Sequence, residues 1–232
     1  MGGGEDPRLR GPALLVTYYS LVWCFSMLLY RISCAFLRLF LRAAGGCIYV
    51  GLENIPATGG AILASNHISF ADPPLVGCGT RRQVHYMAKE ELFKPPFFGS
   101  WMRGVGSFPV RRGAPDRRAL KRAIELLNEG RVVGMFPEGT RSEDGGLQEP
   151  ELGIGLIALR SRAPVVPVAV IGTDKALPPH SKRIHRHPMT AIYGKPLMFP
   201  DLYDAKESRK VLEEVGRRTM AAIADLISAH TR

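Results

Sequence analysis

The chain has 232 residues, 46% of them hydrophobic, which suffices to bury one substantial core and sits near the upper edge of single-domain size. Lys and Arg outnumber Asp and Glu by 31 to 21, and the resulting formal charge of +10 points to an anionic partner such as phosphate, lipid headgroups or nucleic acid. The four cysteines, Cys24, Cys34, Cys47 and Cys78, form no C-x-x-C pair, which argues against a zinc knuckle or a disulfide framework and suits reduced thiols facing a cytosolic compartment.

From Ala13 to Tyr30 the sequence ALLVTYYSLVWCFSMLLY is uncharged, close to the ~18-residue threshold for a spanning helix. The next stretch, RISCAFLRLFLRAA, repeats Arg31, Arg38 and Arg42 at near-helical spacing among Phe36, Leu37, Leu39, Phe40 and Leu41. This predicts a basic amphipathic helix at a headgroup boundary with its arginines snorkelling outward. A cleaved secretory signal competes, since Arg8 and Arg10 precede the apolar run, but no small-x-small cleavage pattern follows promptly. A buried hairpin of the globular core is the other alternative. The flanking arginines favour the lipid surface and, by the positive-inside tendency, place the body of the chain on the cytoplasmic face. Residues 1–44 are therefore read as a membrane-anchoring helical segment and residues 45–232 as one globular domain.

After Gly45-Gly46 short β-like runs alternate with helical ones. Strands are predicted at Ile48–Gly51, Ala61–Ser65, Val84–Met87, Ser107–Val110, Val132–Phe136, Val165–Ile171 and Thr190–Tyr193. Pro115 to Asn128 places Leu120, Ala123, Ile124 and Leu127 on one face and stops at Gly130. A terminal helix is expected from Ser208 to Ser228. The pattern predicts an α/β fold, a mixed and mostly parallel sheet flanked by helices.

Two clusters carry candidate chemistry. In Asn66-His67-Ile68-Ser69-Phe70-Ala71-Asp72-Pro73-Pro74, proline favours the first helical position, so a helix should begin at Pro73 with Asp72 as its cap. Five residues apart on a continuous helix, His67 and Asp72 would point ~140° apart, so they meet only if the chain bends between them. A strand-to-helix turn provides that bend. An Asp held against one imidazole nitrogen fixes the tautomer and leaves the other nitrogen to take a proton from a hydroxyl, with His67 as base and Asp72 as orienter. The bland alternative is a plain helix cap beside a loop histidine.

The second cluster, Phe136-Pro137-Glu138-Gly139-Thr140-Arg141-Ser142, leaves the strand Val132–Phe136 in a turn that presents a guanidinium beside a carboxylate. Arg141 is suited to bidentate phosphate binding, and Glu138 either accepts a hydrogen bond from a glycerol hydroxyl or holds Arg141 in place. A surface turn with a local ion pair is the competing reading.

Together these clusters resemble the glycerolipid acyltransferase family, especially its 1-acylglycerol-3-phosphate acyltransferases. The family's four sequence blocks have counterparts here in order: NHISFAD, GSFPVRR at Gly106 to Arg112, FPEGTRS, and APVVPVAVIG at Ala163 to Gly172. MAKEELFKPPFFG, Met87 to Gly99, resembles the stretch joining the first two. The resemblance spans about residues 45 to 200. It departs in two places. Arg111 precedes Arg112 where many members carry an acidic residue, and no lysine stands near Glu151-Leu152-Gly153.

The resemblance implies direct transfer of a fatty acyl group from acyl-CoA or acyl carrier protein to the sn-2 hydroxyl of lysophosphatidic acid, without an acyl-enzyme. The absence of a G-x-S-x-G nucleophile elbow agrees with this. His67 and Asp72 are then the catalytic residues, and Arg111, Arg112, Glu138, Gly139, Thr140 and Arg141 the substrate-binding set. Backbone N–H groups near Pro73 are the expected oxyanion donors. The implied partners are membrane lipids, the lysophospholipid and the thioester donor, with no cofactor and no metal; His180, His185 and His187 lie among Lys182, Arg183 and Arg186, which repel a cation. Nucleic acid is not expected, because the arginines are not interleaved with aromatics in a recognised binding module. Another lysophospholipid or lipid alcohol as acceptor, or a silent lipid-binding scaffold, are the alternatives.

Overall fold

The structure, a computed structural model, describes the backbone of residues 11–111, 116–142, 144–178, 181 and 183–231, with side chains from residue 24 onward. A long helix α1 (Gly11–Ala43) leads into β1 (Cys47–Val50), β2 (Ala61–Ser65) and α2 (Asp72–Gly79). There follow β3 (Val84–Lys89), α3 (Pro96–Gly104), β4 (Phe108–Val110), α4 (Arg117–Asn128) and β5 (Val132–Met135). The remainder is α5 (Leu152–Ser161), β6 (Val165–Ile171), the one-turn α6 (Thr173–Ala176), β7 (Met189–Tyr193) and α7 (Arg209–His230).

The strands form one sheet in the order β1-β7-β6-β2-β5-β3-β4. Every neighbouring pair is parallel except β6 and β7. This is the mixed, mostly parallel sheet that the sequence pattern predicts, with each expected strand present to within two residues. β2, β5 and all but the last residue of β6 are buried, because helices cover both faces, and such strands read as continuous apolar runs. Alternate side chains feed two cores. Leu63, Val166, Val168 and Val170 pack with Leu41, Leu75 and Val76 of α1 and α2. Ile62, Ala64, Val133 and Val165 pack with Leu126, Ile154, Ile157 and Val215 of α4, α5 and α7.

The helix starts follow the expected local chemistry, with one exception. Asp116 caps α4 by accepting from the amides of Arg118 and Ala119, and Ser208 caps α7 through Val211. The expected start of α4 at Pro115 lies outside the described residues; the helix ends at Asn128 with Gly130 at φ 77°, as expected. The exception is α2, where Asp72 is not the cap. The helix already includes it, and its carboxylate turns back into the preceding loop.

The amino-terminal region differs from the two segments predicted. α1 is a single 33-residue helix, since neither Pro nor Gly interrupts residues 13–43, and it ends where Gly45 and Gly46 take positive φ. It lies against the body through Ser26 Oγ to the Gly104 carbonyl, Tyr30 Oη to the Gly77 carbonyl, and Trp101 Nε1 to Ser33 Oγ. Arg38 does not snorkel outward. Its Nε donates to the Cys78 carbonyl at 2.8 Å, because the last turn of α2 leaves carbonyls without partners within the helix. The opposite face of α1 carries Phe25, Leu28, Ile32, Phe36 and Leu39, all exposed and spaced three or four residues apart. That stripe excludes a buried core hairpin, and Cys24–Ala43 is long and apolar enough to cross a membrane.

Candidate active site

The site lies where parallel strands end, the usual place for function in an open α/β sheet. β2 sits between β6 and β5, so the loops leaving these three strands meet above it. As β2 ends, the side chain of Asn66 takes over its ladder. Its Nδ2 donates to the Val170 carbonyl at 3.0 Å, and its Oδ1 accepts from the Val170 amide at 2.8 Å. One side-chain amide thereby replaces a peptide group, and the backbone is released to turn at His67.

The turn brings His67 to Asp72. His67 Nδ1 is 2.8 Å from Asp72 Oδ2, and the same oxygen accepts from the amides of Ile68 and Ser69, each at 2.7 Å. The other oxygen accepts from the Thr173 hydroxyl at 2.6 Å. The carboxyl group of Asp72 is wholly inaccessible to solvent, and a carboxylate accepting from every neighbour leaves the proton of the pair on Nδ1. Nε2 is then the nitrogen with a free lone pair. The imidazole is also stacked on Phe136, with ring centroids 4.0 Å apart and planes at 20°.

Three of these neighbours were not legible as site residues. Thr173 lies beyond β6, 101 residues from Asp72, and Asn66 and Phe136 read as ordinary parts of their blocks. Four of the amides that precede Pro73 are engaged within the turn itself. Those of Ile68 and Ser69 serve Asp72, Ala71 N–H donates to Ser69 Oγ, and Asp72 N–H donates to the Ser69 carbonyl.

The loop after β5 lies beside the His67 turn, tied to it by the Ser142 amide, which donates to the His67 carbonyl at 2.7 Å. Glu138 is buried, and neither carboxyl oxygen has a hydrogen-bond partner among the described residues. Burial pushes its carboxyl up to about 7; the nearby His67 amide, short of a hydrogen bond, offsets part of this, and the Asp72 charge adds to it. Glu138 makes no ion pair with Arg141 among the described residues, which overturns the expectation that it holds the guanidinium. Arg141 instead lies over Phe70, with Cζ 3.7 Å from the ring centroid. Gly139 takes φ 70°, so its contribution is the turn itself. Thr140 and Arg141, with Asp144, Leu147 and Gln148, line an open cavity of about 540 Å³.

Of the remaining expected site residues, Arg111 stands at the end of β4, exposed, with its Nε 3.9 Å from Asp116. β4 is three strands from β2, ~14 Å at ordinary strand spacing, so the sheet alone does not bring Arg111 to His67. Arg112 lies outside the described residues, as do Pro179, His180 and Lys182 of the basic loop. Among the described residues no three His, Cys, Asp or Glu side chains are grouped so as to hold a metal ion.

The sequence and the fold that carry this site have counterparts among known proteins. The acyltransferase family model matches residues 47–171, more than half of the chain, and the chain belongs to that family. A 1-acyl-sn-glycerol-3-phosphate acyltransferase of Bacillus subtilis is 37% identical over 171 residues, 73% of this chain and 82% of the relative. The chloroplastic 1-acyl-sn-glycerol-3-phosphate acyltransferase LPAT1 of Arabidopsis thaliana is 37% identical over 63% of this chain, which spans only 42% of that longer protein. The crystal structure of the 1-acyl-sn-glycerophosphate acyltransferase PlsC from Thermotoga maritima matches with a TM-score of 0.70 and 26% identity, over 93% of this chain and 90% of the other.

Proposed function

We propose that this protein transfers a fatty acyl group from an acyl thioester, acyl-CoA or acyl carrier protein, to the sn-2 hydroxyl of lysophosphatidic acid, forming phosphatidic acid. One observation carries the reading: Asp72 occupies Nδ1 of His67 at 2.8 Å, which leaves Nε2 as the base. His67 Nε2 takes the proton of the acceptor hydroxyl as its oxygen attacks the thioester carbonyl. The thiolate leaves as the tetrahedral intermediate collapses, and the proton on Nε2 passes to it. Asp72 stabilises the imidazolium formed in between. Arg141 binds the acceptor phosphate, Arg111 and Arg112 are its further candidate ligands, and Glu138 receives the glycerol part beside His67. The names of the relatives and the shared fold support the choice of acceptor.

In the same reading residues 1–44 anchor the chain and residues 45–232 form the acyltransferase domain on the cytoplasmic side. The exposed apolar stripe of α1 supports this, because a row of Phe, Leu and Ile left in water is unfavourable and a bilayer removes it.

The test is to incubate the purified protein in detergent with labelled acyl-CoA or acyl carrier protein and a panel of lysophospholipids, and to identify the product by mass. Phosphatidic acid is the expected product, and His67→Ala should lower turnover by at least about 10³-fold with the fold intact. Near-normal turnover in that variant removes His67 as base, and a different product lipid removes the acceptor assignment.

A further inference from the structure

We infer that Phe70 is the positioning residue for the acceptor phosphate, acting as an uncharged platform that sets the plane of the Arg141 guanidinium. The inference rests on the reading of Arg141 as the phosphate-binding residue and deepens it.

An arginine in a turn is commonly held by a carboxylate, and Glu138 stands three residues earlier in the same loop. It makes no ion pair with Arg141. What touches the guanidinium is the face of Phe70, 3.7 Å from centroid to Cζ, which is van der Waals contact. Phe70 is 62% exposed between the buried Ser69 and Ala71, so its ring is not there to fill a core.

The chemical difference between the two kinds of support is decisive. The five N–H donors of a guanidinium lie in its plane, and stacking on an aromatic face uses none of them. A carboxylate would neutralise the charge and occupy the paired N–H groups that bind phosphate bidentately. Stacking on Phe70 leaves the charge unneutralised and uses none of the in-plane donors. Among the described residues, Arg141 Nη1 is buried with no acceptor, as expected of a donor whose partner is a ligand.

The platform also fixes distance. Phe70 is three residues from His67 in one loop, and the Ser142 amide on the His67 carbonyl locks the Arg141 loop beside it. In lysophosphatidic acid the reacting hydroxyl is on the carbon next to the one that bears the phosphate. A guanidinium held at a set place relative to His67 therefore delivers that hydroxyl to Nε2.

The experiment compares Phe70→Leu, Phe70→Trp and Arg141→Ala in the full chain, using a short-chain, water-soluble lysophosphatidic acid at saturating donor. Leucine keeps apolar bulk at an exposed position and removes only the aromatic face; melting curves verify the fold. Phe70→Leu should raise the acceptor KM by roughly 2- to 30-fold, the equivalent of ~0.5–2 kcal/mol of cation–π attraction, with kcat little changed. Phe70→Trp should restore the wild-type KM, and Arg141→Ala should raise it further. If Arg141→Ala raises KM and Phe70→Leu does not, the platform is refuted while the phosphate assignment stands. If neither changes KM, both fall. A loss of kcat alone in Phe70→Leu also overturns the inference, because it places Phe70 in the support of His67.

Discussion

The hydroxyl of Thr173 donates to Oδ1 of Asp72 at 2.6 Å, joining two residues that lie 101 positions apart in the chain. Both are wholly buried, and Thr173 reaches Asp72 because β6 runs beside β2 and releases its loop at the same edge. A carboxylate shielded from water depends on such donors.

Thr173→Val keeps the shape and deletes the donor. The loss of a hydrogen bond to a charged group, ~1.5–3 kcal/mol, should lower kcat by about 10- to 100-fold and leave the acceptor KM unchanged. Thr173→Ser should recover most of the rate. Steady-state kinetics on the three proteins decide it; an unaltered kcat in the valine variant dismisses Thr173 as a support of the His67–Asp72 pair.

Asn66→Ala leaves the amide and the carbonyl of Val170 buried without partners. At ~1–3 kcal/mol for each, the variant should lose about 2–6 kcal/mol of stability and misplace the His67 turn. Asn66→Asp should also destabilise, since an acceptor then faces the Val170 carbonyl. Denaturant melts measure both, and wild-type stability in either would show that the amide bridge contributes nothing.

Glu138 gives a pH signature of definite sign. Its carboxyl is raised from 4.5 to about 7 in the folded protein. Between those values the unfolded chain has released a proton that the folded chain retains, so stability falls as pH rises through this window and levels off above it. Glu138→Gln should abolish that contribution. Melting temperatures of both proteins between about pH 4 and pH 8 test it; parallel curves would falsify the claim that this carboxyl titrates late.

The stripe on α1 predicts a separation of membrane binding from folding. Phe36→Glu with Leu39→Glu should weaken co-sedimentation with anionic phospholipid vesicles by at least about tenfold, from ~1.5–3 kcal/mol for each buried side chain. The melting temperature should be unmoved, because both side chains project from the free face. Retained vesicle binding would mean that this face does not meet lipid.

Much of this was legible before the fold. Central parallel strands are apolar along their whole length, so Ala61–Ser65, Val132–Met135 and Val165–Ile171 stand out. Asp116 and Ser208 announce their helices through their own local hydrogen bonds. Asp72 looked like another such cap because Pro73 follows it. Its carboxylate serves His67, Ile68, Ser69 and Thr173 instead, and a side chain cannot serve both its own helix and the turn before it. Arg38 misled for a similar reason. Its spacing suited a lipid surface, yet an unpartnered carbonyl at the end of α2 lies within its reach.

The order of residues alone determined the alternation of strand and helix, the apolar character of the amino-terminal helix and the pairing of His67 with Asp72, because each depends on neighbours within one turn or one element. Strand order decided the rest. Only with β2 between β6 and β5 do Thr173 reach Asp72, Asn66 bridge to Val170 and Phe70 lie under Arg141. No local propensity encodes those contacts, since they arise from which strands the core packs side by side.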